Sequence, residues 1–229
     1  MEVIKFDLDK LQEQPDGFAY YILGRSYDLE ENGAEQDYDV ALEYYKKGNN
    51  LGYPLCTYSL GISYELGLGD ALPIDEEKGN ELLEQAYPEI IKLIDSPDTD
   101  EIERIYAKFV TGAYHYFGLG GIEKDYQKAF EIIKDCADNG HIAAIYDLGA
   151  NFYYNGNGTE RNLRLAEYYL RCGSKTKARE CFDFAIIGSN KHGLLPEQVD
   201  NNTMDPAWVI GLGWSHAMFI DVLKKLYNK

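Results

Sequence analysis

Four histidines and four cysteines are the residues of this chain best suited to metal binding or nucleophilic chemistry, and their spacing argues against both. His115, His141, His192 and His216 form no HxxxH or HExxH pair, the helical spacing that places two imidazoles on one zinc ion. Cys56, Cys136, Cys172 and Cys181 contain no CxxC, so a zinc ribbon is not indicated. A cysteine nucleophile needs a histidine partner, and nothing in the sequence points to one. Cys172 and Cys181 could meet across adjacent helices, but small buried apolar residues are the plainer reading for all four. The Gly-rich run at 118–121 follows a helical pattern rather than a strand and lacks the GK[ST] ending of a phosphate loop. The sequence therefore predicts no catalytic residue, no metal ligand and no cofactor.

The charged residues say more. The net charge is −17. Residues 1–104 hold 25 Asp and Glu against 8 Lys and Arg, and residues 105–229 hold 14 of each. All the net charge thus lies in the first half. Nucleic acid and anionic membrane demand the opposite sign, and neither is expected as a partner. A basic protein or peptide is the expected partner, and a plain solubility coat is the alternative. Arg161, Arg164, Arg171, Lys175, Lys177 and Arg179 form one basic cluster, read as a solvated helix face or a contact for an acidic segment. The composition, 45% hydrophobic and 27% charged, is that of a folding chain. No run of about 18 apolar residues is present, and the first residues lack the pattern of a signal peptide. The expectation is a cytoplasmic, monomeric protein.

The elements that carry these residues repeat. Gly24 recurs as Gly61 after 37 residues, and Gly112 recurs as Gly149 at the same interval. A period of that size marks a helical-repeat array. Each glycine lies within an apolar pattern of helical spacing, where glycine costs about 1 kcal/mol relative to alanine. A cost repeated four times implies a repeated compensation, namely close approach of paired helices. Ala41, Gly79, Ala129 and Ala166 are the small residues expected opposite. Tyr27, Tyr64, His115 and Phe152, each three residues after a glycine, are expected to fill the remaining space, so His115 reads as a core residue. Asp37 and Asp75 stand where N-caps belong.

The interval from Gly61 to Gly112 is longer by 14 residues. The surplus falls at 88–101 and predicts a lengthened or irregular helix, a stop at Ser96-Pro97 and a restart, with Asp98 and Glu101 at capping-box spacing. The domain reading is a lead-in at 1–16 that caps the first repeat, four repeats at about 17–52, 53–87, 102–140 and 141–178, and a fifth helix plus capping helices over 179–229. The fourth repeat reads as the most regular. Trp208, Trp214, Phe219, Leu223 and Leu226 are expected to seal the open end.

The motifs Leu60-Gly61-Ile62-Ser63-Tyr64, Gly67-Leu68-Gly69, Gly118-Leu119-Gly120 and Asp125-Tyr126-Gln127-Lys128-Ala129 resemble the Sel1-like repeat, a relative of the tetratricopeptide repeat, and a bacterial source is expected. The likeness covers about 17–178. His115 departs from the usual aromatic residue, the first repeat lacks the GxG, and Gly79 stands for alanine. The resemblance implies an all-α, right-handed α/α solenoid whose concave surface binds peptides or protein domains, and no chemistry. The concave positions expected from the helical phase are Arg25, Asp28, Ile62, Glu65, Tyr114, Tyr116, Asn151 and Tyr154. The functional expectation is a protein-binding adaptor, one form being an immunity protein that masks a basic toxin. The alternatives are a repeat-built hydrolase and a self-assembling structural protein.

Overall fold

The computed structural model describes residues 3–68, 72–162, 165, 166 and 169. The expected fifth helix, the C-terminal cap and most of the basic cluster lie outside them. The described chain is all-α: α1 (Leu8–Glu13), α2 (Gly17–Leu29), α3 (Tyr38–Asn50), α4 (Pro54–Leu66), α5 (Glu76–Asp95), α6 (Glu101–Phe117), α7 (Tyr126–Asp138) and α8 (Ile142–Asp147). A π-helical segment, Leu148–Tyr154, continues α8 directly. The helices pack in chain order, α2 on α3, α4 on α5 and α6 on α7, and each pair packs on the next. That is a solenoid of helix hairpins.

The same devices start and stop the helices in each repeat. Asp37, Asp75 and Asp125 cap the second helices by accepting from the N–H groups of Val40, Lys78 and Lys128, and Asn162 accepts from Leu165 N–H in the fourth repeat. Each cap residue also donates its own N–H back to the preceding first helix. The acceptors are the carbonyls of Tyr27, Tyr64, His115 and Tyr153, at 2.8–2.9 Å. This bond ties each hairpin together. In the fourth repeat its acceptor is one residue later than in the others, because the π segment holds an extra residue in its turn. The repeat that reads as the most regular in sequence is therefore the one with a widened helix. Gly118 ends α6 in the left-handed conformation, at φ 74°. Repeat one has no glycine there, and Glu30 takes the left-handed conformation in its place, at φ 55°.

The recurrent glycines lie at the hairpin contacts. A Cβ on Gly24 would stand 2.5 Å from the Tyr45 ring, one on Gly61 3.1 Å from the Gly79 carbonyl, and one on Gly112 2.7 Å from Ile133 Cδ1. The surplus near 88–101 becomes the last turns of α5 and a short loop at 96–100 before α6: α5 has 20 residues and α6 has 17, against 13 in α2, α3, α4 and α7. Pro88 sits inside α5 on its exposed face, where water can satisfy the carbonyl its missing N–H leaves free. The cap of α6 is Asp100, which accepts from Ile102 N–H, rather than Asp98.

The lead-in reaches further than the first repeat. Ile4 N–H donates to the Gly140 carbonyl at the end of the third repeat, and Phe6 N–H to Asn32 Oδ1 in the first. The Phe6 ring packs edge-on against Phe18 and Tyr106, at 5.9 and 5.7 Å. Residues 3–7 thus strap the first repeat to the third.

Candidate protein-binding groove

The first helices of the hairpins enclose two adjoining hollows. One, of about 350 Å³, lies between α2 and α4 and includes Tyr21, Asp28, Tyr38, Tyr58, Ile62 and Leu66 in its wall. The other, of about 730 Å³, is lined by Phe6, Glu31, Asn32, Tyr106, Ile142 and Tyr146 among others, and no side chain of α3, α5 or α7 contributes. Arg25 and Leu29 belong to both walls, so the hollows form one groove along the inner ends of α2, α4, α6 and α8.

Arg25 is the electrostatic centre. Its Nε and Nη2 donate to the two carboxylate oxygens of Glu31 at 2.8 and 2.9 Å, a bidentate pair. The guanidinium lies 5.5 Å from the centre of the Phe109 ring. Glu31 lies in the loop after α2, so the pair clamps that loop onto the helix. Asp28 Oδ2 accepts from the Tyr45 hydroxyl at 3.1 Å. Burial holds its carboxyl above the usual range, against the pull of Tyr45 and Arg25. Asp147 accepts from Asn151 Nδ2 at 3.0 Å, and burial pushes its pKa up to about 6. Glu65, half-buried at the end of α4, is raised by burial and by Glu76.

The eight residues expected on the concave face divide in three ways. Arg25, Asp28 and Ile62 converge on the smaller hollow, and Glu65 sits at its edge beside Leu66. Tyr116, Asn151 and Tyr154 lie further along. The Tyr116 hydroxyl accepts from Asn157 Nδ2 at 2.8 Å, and Tyr154 is exposed with the Arg161 guanidinium 5.4 Å from its ring centre. Tyr114 is a correction. It is fully buried, its hydroxyl donates to the Leu83 carbonyl at 2.8 Å, and its ring packs on Tyr58 and Tyr87. The helical phase puts it where Ser26 and Ser63 are buried in the earlier repeats. Arg25 is corrected in part: it lines the groove but is buried and already paired.

The sequence reading missed Glu31, Tyr58, Tyr106 and Asp147, and also Leu29, Leu66 and Phe117. Leu29 to Leu66 and Phe117 to Tyr154 each span 37 residues, so the repeat period itself carried the signal for Leu29, Leu66 and Phe117.

The chemistry of the interior is muted. Cys56 and Cys136 are buried free thiols; burial raises both, Cys136 to about 12, so neither is a thiolate near neutrality. His141 is wholly buried between Tyr106 and Phe109. Its Nδ1 accepts from Ala144 N–H, which leaves the ring proton on Nε2, without a partner. His115 is buried in the core and 3.3 Å from the Tyr87 hydroxyl. Among the described residues, no group of three or more His, Cys, Asp or Glu could hold a metal ion. None of the described helices is long and apolar enough to cross a membrane.

Paired helices stacked in register, with first helices lining an inner groove, define an all-α repeat solenoid. The family model described as Sel1 repeat matches residues 17–53, 54–87, 105–141 and 142–175, and the chain belongs to the Sel1 repeat family. Repeats of this family act in protein–protein interaction and are in general non-catalytic scaffolds. Similar solved structures include a Sel1 repeat protein from Oxalobacter formigenes, 22% identical, covering 78% of this chain and 69% of that one, with a TM-score of 0.41. Two immunity proteins from Pseudomonas aeruginosa are 17% and 16% identical, cover 93% and 99% of this chain and 83% and 88% of theirs, and have TM-scores of 0.40 and 0.36. No curated protein matches the sequence significantly.

Proposed function

We propose that this chain is a monomeric, cytoplasmic, non-catalytic binding module whose groove over the first two repeats holds a basic protein or peptide. The observation that carries the reading is the composition of that groove. Arg25 at its floor is neutralised by Glu31, while Asp28 and Glu65 keep carboxylates at the wall and edge. Tyr38, Ile62 and Leu66 supply apolar contact area beside them. Carboxylates next to aromatic and aliphatic surface suit a partner that brings Lys or Arg together with apolar residues. The excess of acid over base in residues 1–104 adds long-range attraction of the same sign. One form of this reading is an immunity protein that masks a basic toxin, and its support is that acidity.

The test is affinity capture from the source organism with the full chain and with an Asp28→Lys/Glu65→Lys chain as baits, followed by association kinetics of the captured partner. The expected result is a basic partner that the charge-reversed bait captures poorly. Its association rate should fall steeply with salt, and less steeply for the variant. An acidic partner, or a rate indifferent to salt, would leave the acidity as a solubility coat.

A further inference from the structure

We propose that the hollow between α2 and α4 is a pocket for one whole Lys or Arg side chain of the partner, with its hydrocarbon stem at the apolar mouth and its cationic head beside Asp28. The proposal rests on the groove reading above and names the group that the groove grips. The hollow holds about 350 Å³, at the small end of the range for ligand sites, about 300–1,000 Å³. That is room for one long side chain and not for a helix. The space exists because Ser59 and Ser63 in its wall are small; the counterpart of Ser63 in the third repeat, two residues after the recurrent glycine, is Tyr114. The wall is graded. Leu29, Tyr38 and Leu66 are exposed, by 51%, 37% and 73%, and so stand at the mouth, whereas Tyr21, Tyr45 and Ser63 are buried and so stand deep. Asp28 is half-buried and reaches inward, since its Oδ2 accepts from the hydroxyl of buried Tyr45.

Charge selects the head group. Among the described residues, Arg25 and Asp28 are the charged members of the wall. The Arg25 guanidinium is held by both carboxylate oxygens of Glu31, so that pair sums to zero and the wall keeps the negative charge of Asp28. Among the described residues the Tyr45 hydroxyl is the only hydrogen-bond donor to the Asp28 carboxylate, and it binds Oδ2, which leaves Oδ1 for a ligand. Burial works against the ionised form of Asp28, and a cation beside it relieves that. The hollow lies at the C-terminal ends of both helices, with Leu29 the last residue of α2 and Leu66 of α4, and these ends add partial negative charge. A tyrosine attracts a cation through its ring face or its hydroxyl oxygen, and Tyr21, Tyr38, Tyr45 and Tyr58 all line the hollow.

Shape selects the stem. Lys and Arg lay an apolar stem along apolar surface and carry their charge at the tip. Leu29, Ile62 and Leu66 offer such surface in the same wall as Asp28. A bare cation would leave that surface uncovered, and an aliphatic side chain would leave Asp28 without a counter-charge. The Asp28 position becomes Glu65 in the second repeat and Tyr116 in the third, so the acidic member of the pattern is confined to the first two repeats.

The experiment titrates the full chain with three small probes and follows the backbone amide resonances of Ser59, Ile62 and Ser63 by nuclear magnetic resonance. The probes are N-butylguanidinium; N-butylurea, which has its shape without its charge; and guanidinium, which has the charge without the stem. N-butylguanidinium should bind with a Kd of about 1 mM, and the other two about tenfold or more weakly. Asp28→Asn keeps the shape of the wall and should weaken N-butylguanidinium about tenfold. Glu43→Gln, the same charge change on the exposed face of α3, should leave it unchanged. Equal binding of either control probe, shifts that do not saturate or that fall elsewhere, an Asp28→Asn chain that binds as well as the wild type, or an equal loss in Glu43→Gln would each overturn the pocket. If the pocket is overturned while the captured partner still depends on Asp28 and Glu65, the groove reading stands without it. If N-butylguanidinium binds as expected and the captured partner is acidic, the groove reading falls and the pocket stands.

Discussion

Replacing Gly79 by alanine should lower the melting temperature, although alanine is the better helix former. The reason is the approach of α4 and α5. A Cβ on Gly79 would lie 2.9 Å from the Gly61 carbonyl oxygen, 2.9 Å from the Glu65 backbone nitrogen and 2.6 Å from Glu65 Cγ. The first two are backbone atoms of a helix and cannot rotate away. Ordinary contact begins near 3.4 Å, so the helices must separate by about 0.5 Å, and a gap of that size forfeits about a quarter of the dispersion energy across the contact. Overpacking of this kind costs about 1–3 kcal/mol, and the better helix propensity of alanine returns about 1 kcal/mol. The net loss is about 0–2 kcal/mol, a fall of up to about 8 °C for a chain of this size. Gly112→Ala is the control. Its nearest obstacle is the Cδ1 tip of Ile133, which can change rotamer, so its net effect should be near zero. Gly112→Leu exceeds what that rotamer change can absorb and should cost more than Gly112→Ala. Thermal melts followed by circular dichroism decide the matter. A Gly79→Ala chain that melts at or above the wild-type temperature, or a Gly112→Ala chain that loses as much, would refute the reasoning.

Two further predictions concern the groove floor and its neighbours. Arg25→Met leaves Glu31 unpaired in a largely buried place and should cost about 3–5 kcal/mol; adding Glu31→Gln should recover part of the loss, and strictly additive urea midpoints would show that the pair is uncoupled. The pH response should have two opposed components. Asp147 has a folded pKa raised to about 6 from 3.8, so it lowers stability as pH rises from about 4 to about 6, and Asp147→Asn should stabilise at pH 7 and do little at pH 4. His141 is held well below its usual value by burial and by Arg25; the fold therefore loses stability as pH falls below the unfolded value of about 6.5. By nuclear magnetic resonance the His141 ring should stay neutral until the chain unfolds in acid, and a titration near pH 6.5 in the folded state would contradict its burial.

The architecture was legible because every hairpin must bury the same face, and a buried face constrains residue types at a fixed interval. Gly24, Gly61 and Gly112 are the trace of that constraint, and each meets a side chain or carbonyl of its partner helix. The site was less legible because its phase depends on side chains that can point either way. Tyr114 and Arg25 are polar enough to read as surface, yet an aromatic body or a guanidinium can be buried once its polar atoms find partners. Those partners, Leu83 and Glu31, lie on another helix and in a loop, beyond the reach of any helical spacing rule. The widened turn at Leu148–Tyr154 left no mark in the sequence, because Gly149 keeps its register while the turn around it gains a residue.

The groove also shows how an acidic surface can be kept acidic within a stable fold. Asp28, Glu31 and Asp147 all lie close enough to Arg25 to feel its charge, but Arg25 makes its bidentate pair with Glu31 alone. Asp28 is held by a tyrosine hydroxyl and Asp147 by an asparagine amide. Neutral donors satisfy a carboxylate without cancelling its field. The result is a pair of carboxyl groups whose pKa values are raised, together with that of Glu65, which means that their ionised forms are under-compensated in the free protein. A second cation beside them, next to Arg25, would relieve them and would remove the attraction that the proposed reading assigns to the groove. A cationic ligand supplies the same relief only while it is bound. On the proposed reading, the raised carboxyl groups of Asp28 and Glu65 would favour a Lys- or Arg-bearing ligand over a neutral one of the same shape, and the Arg25–Glu31 clamp would hold the loop after α2 in place whether or not the ligand is there.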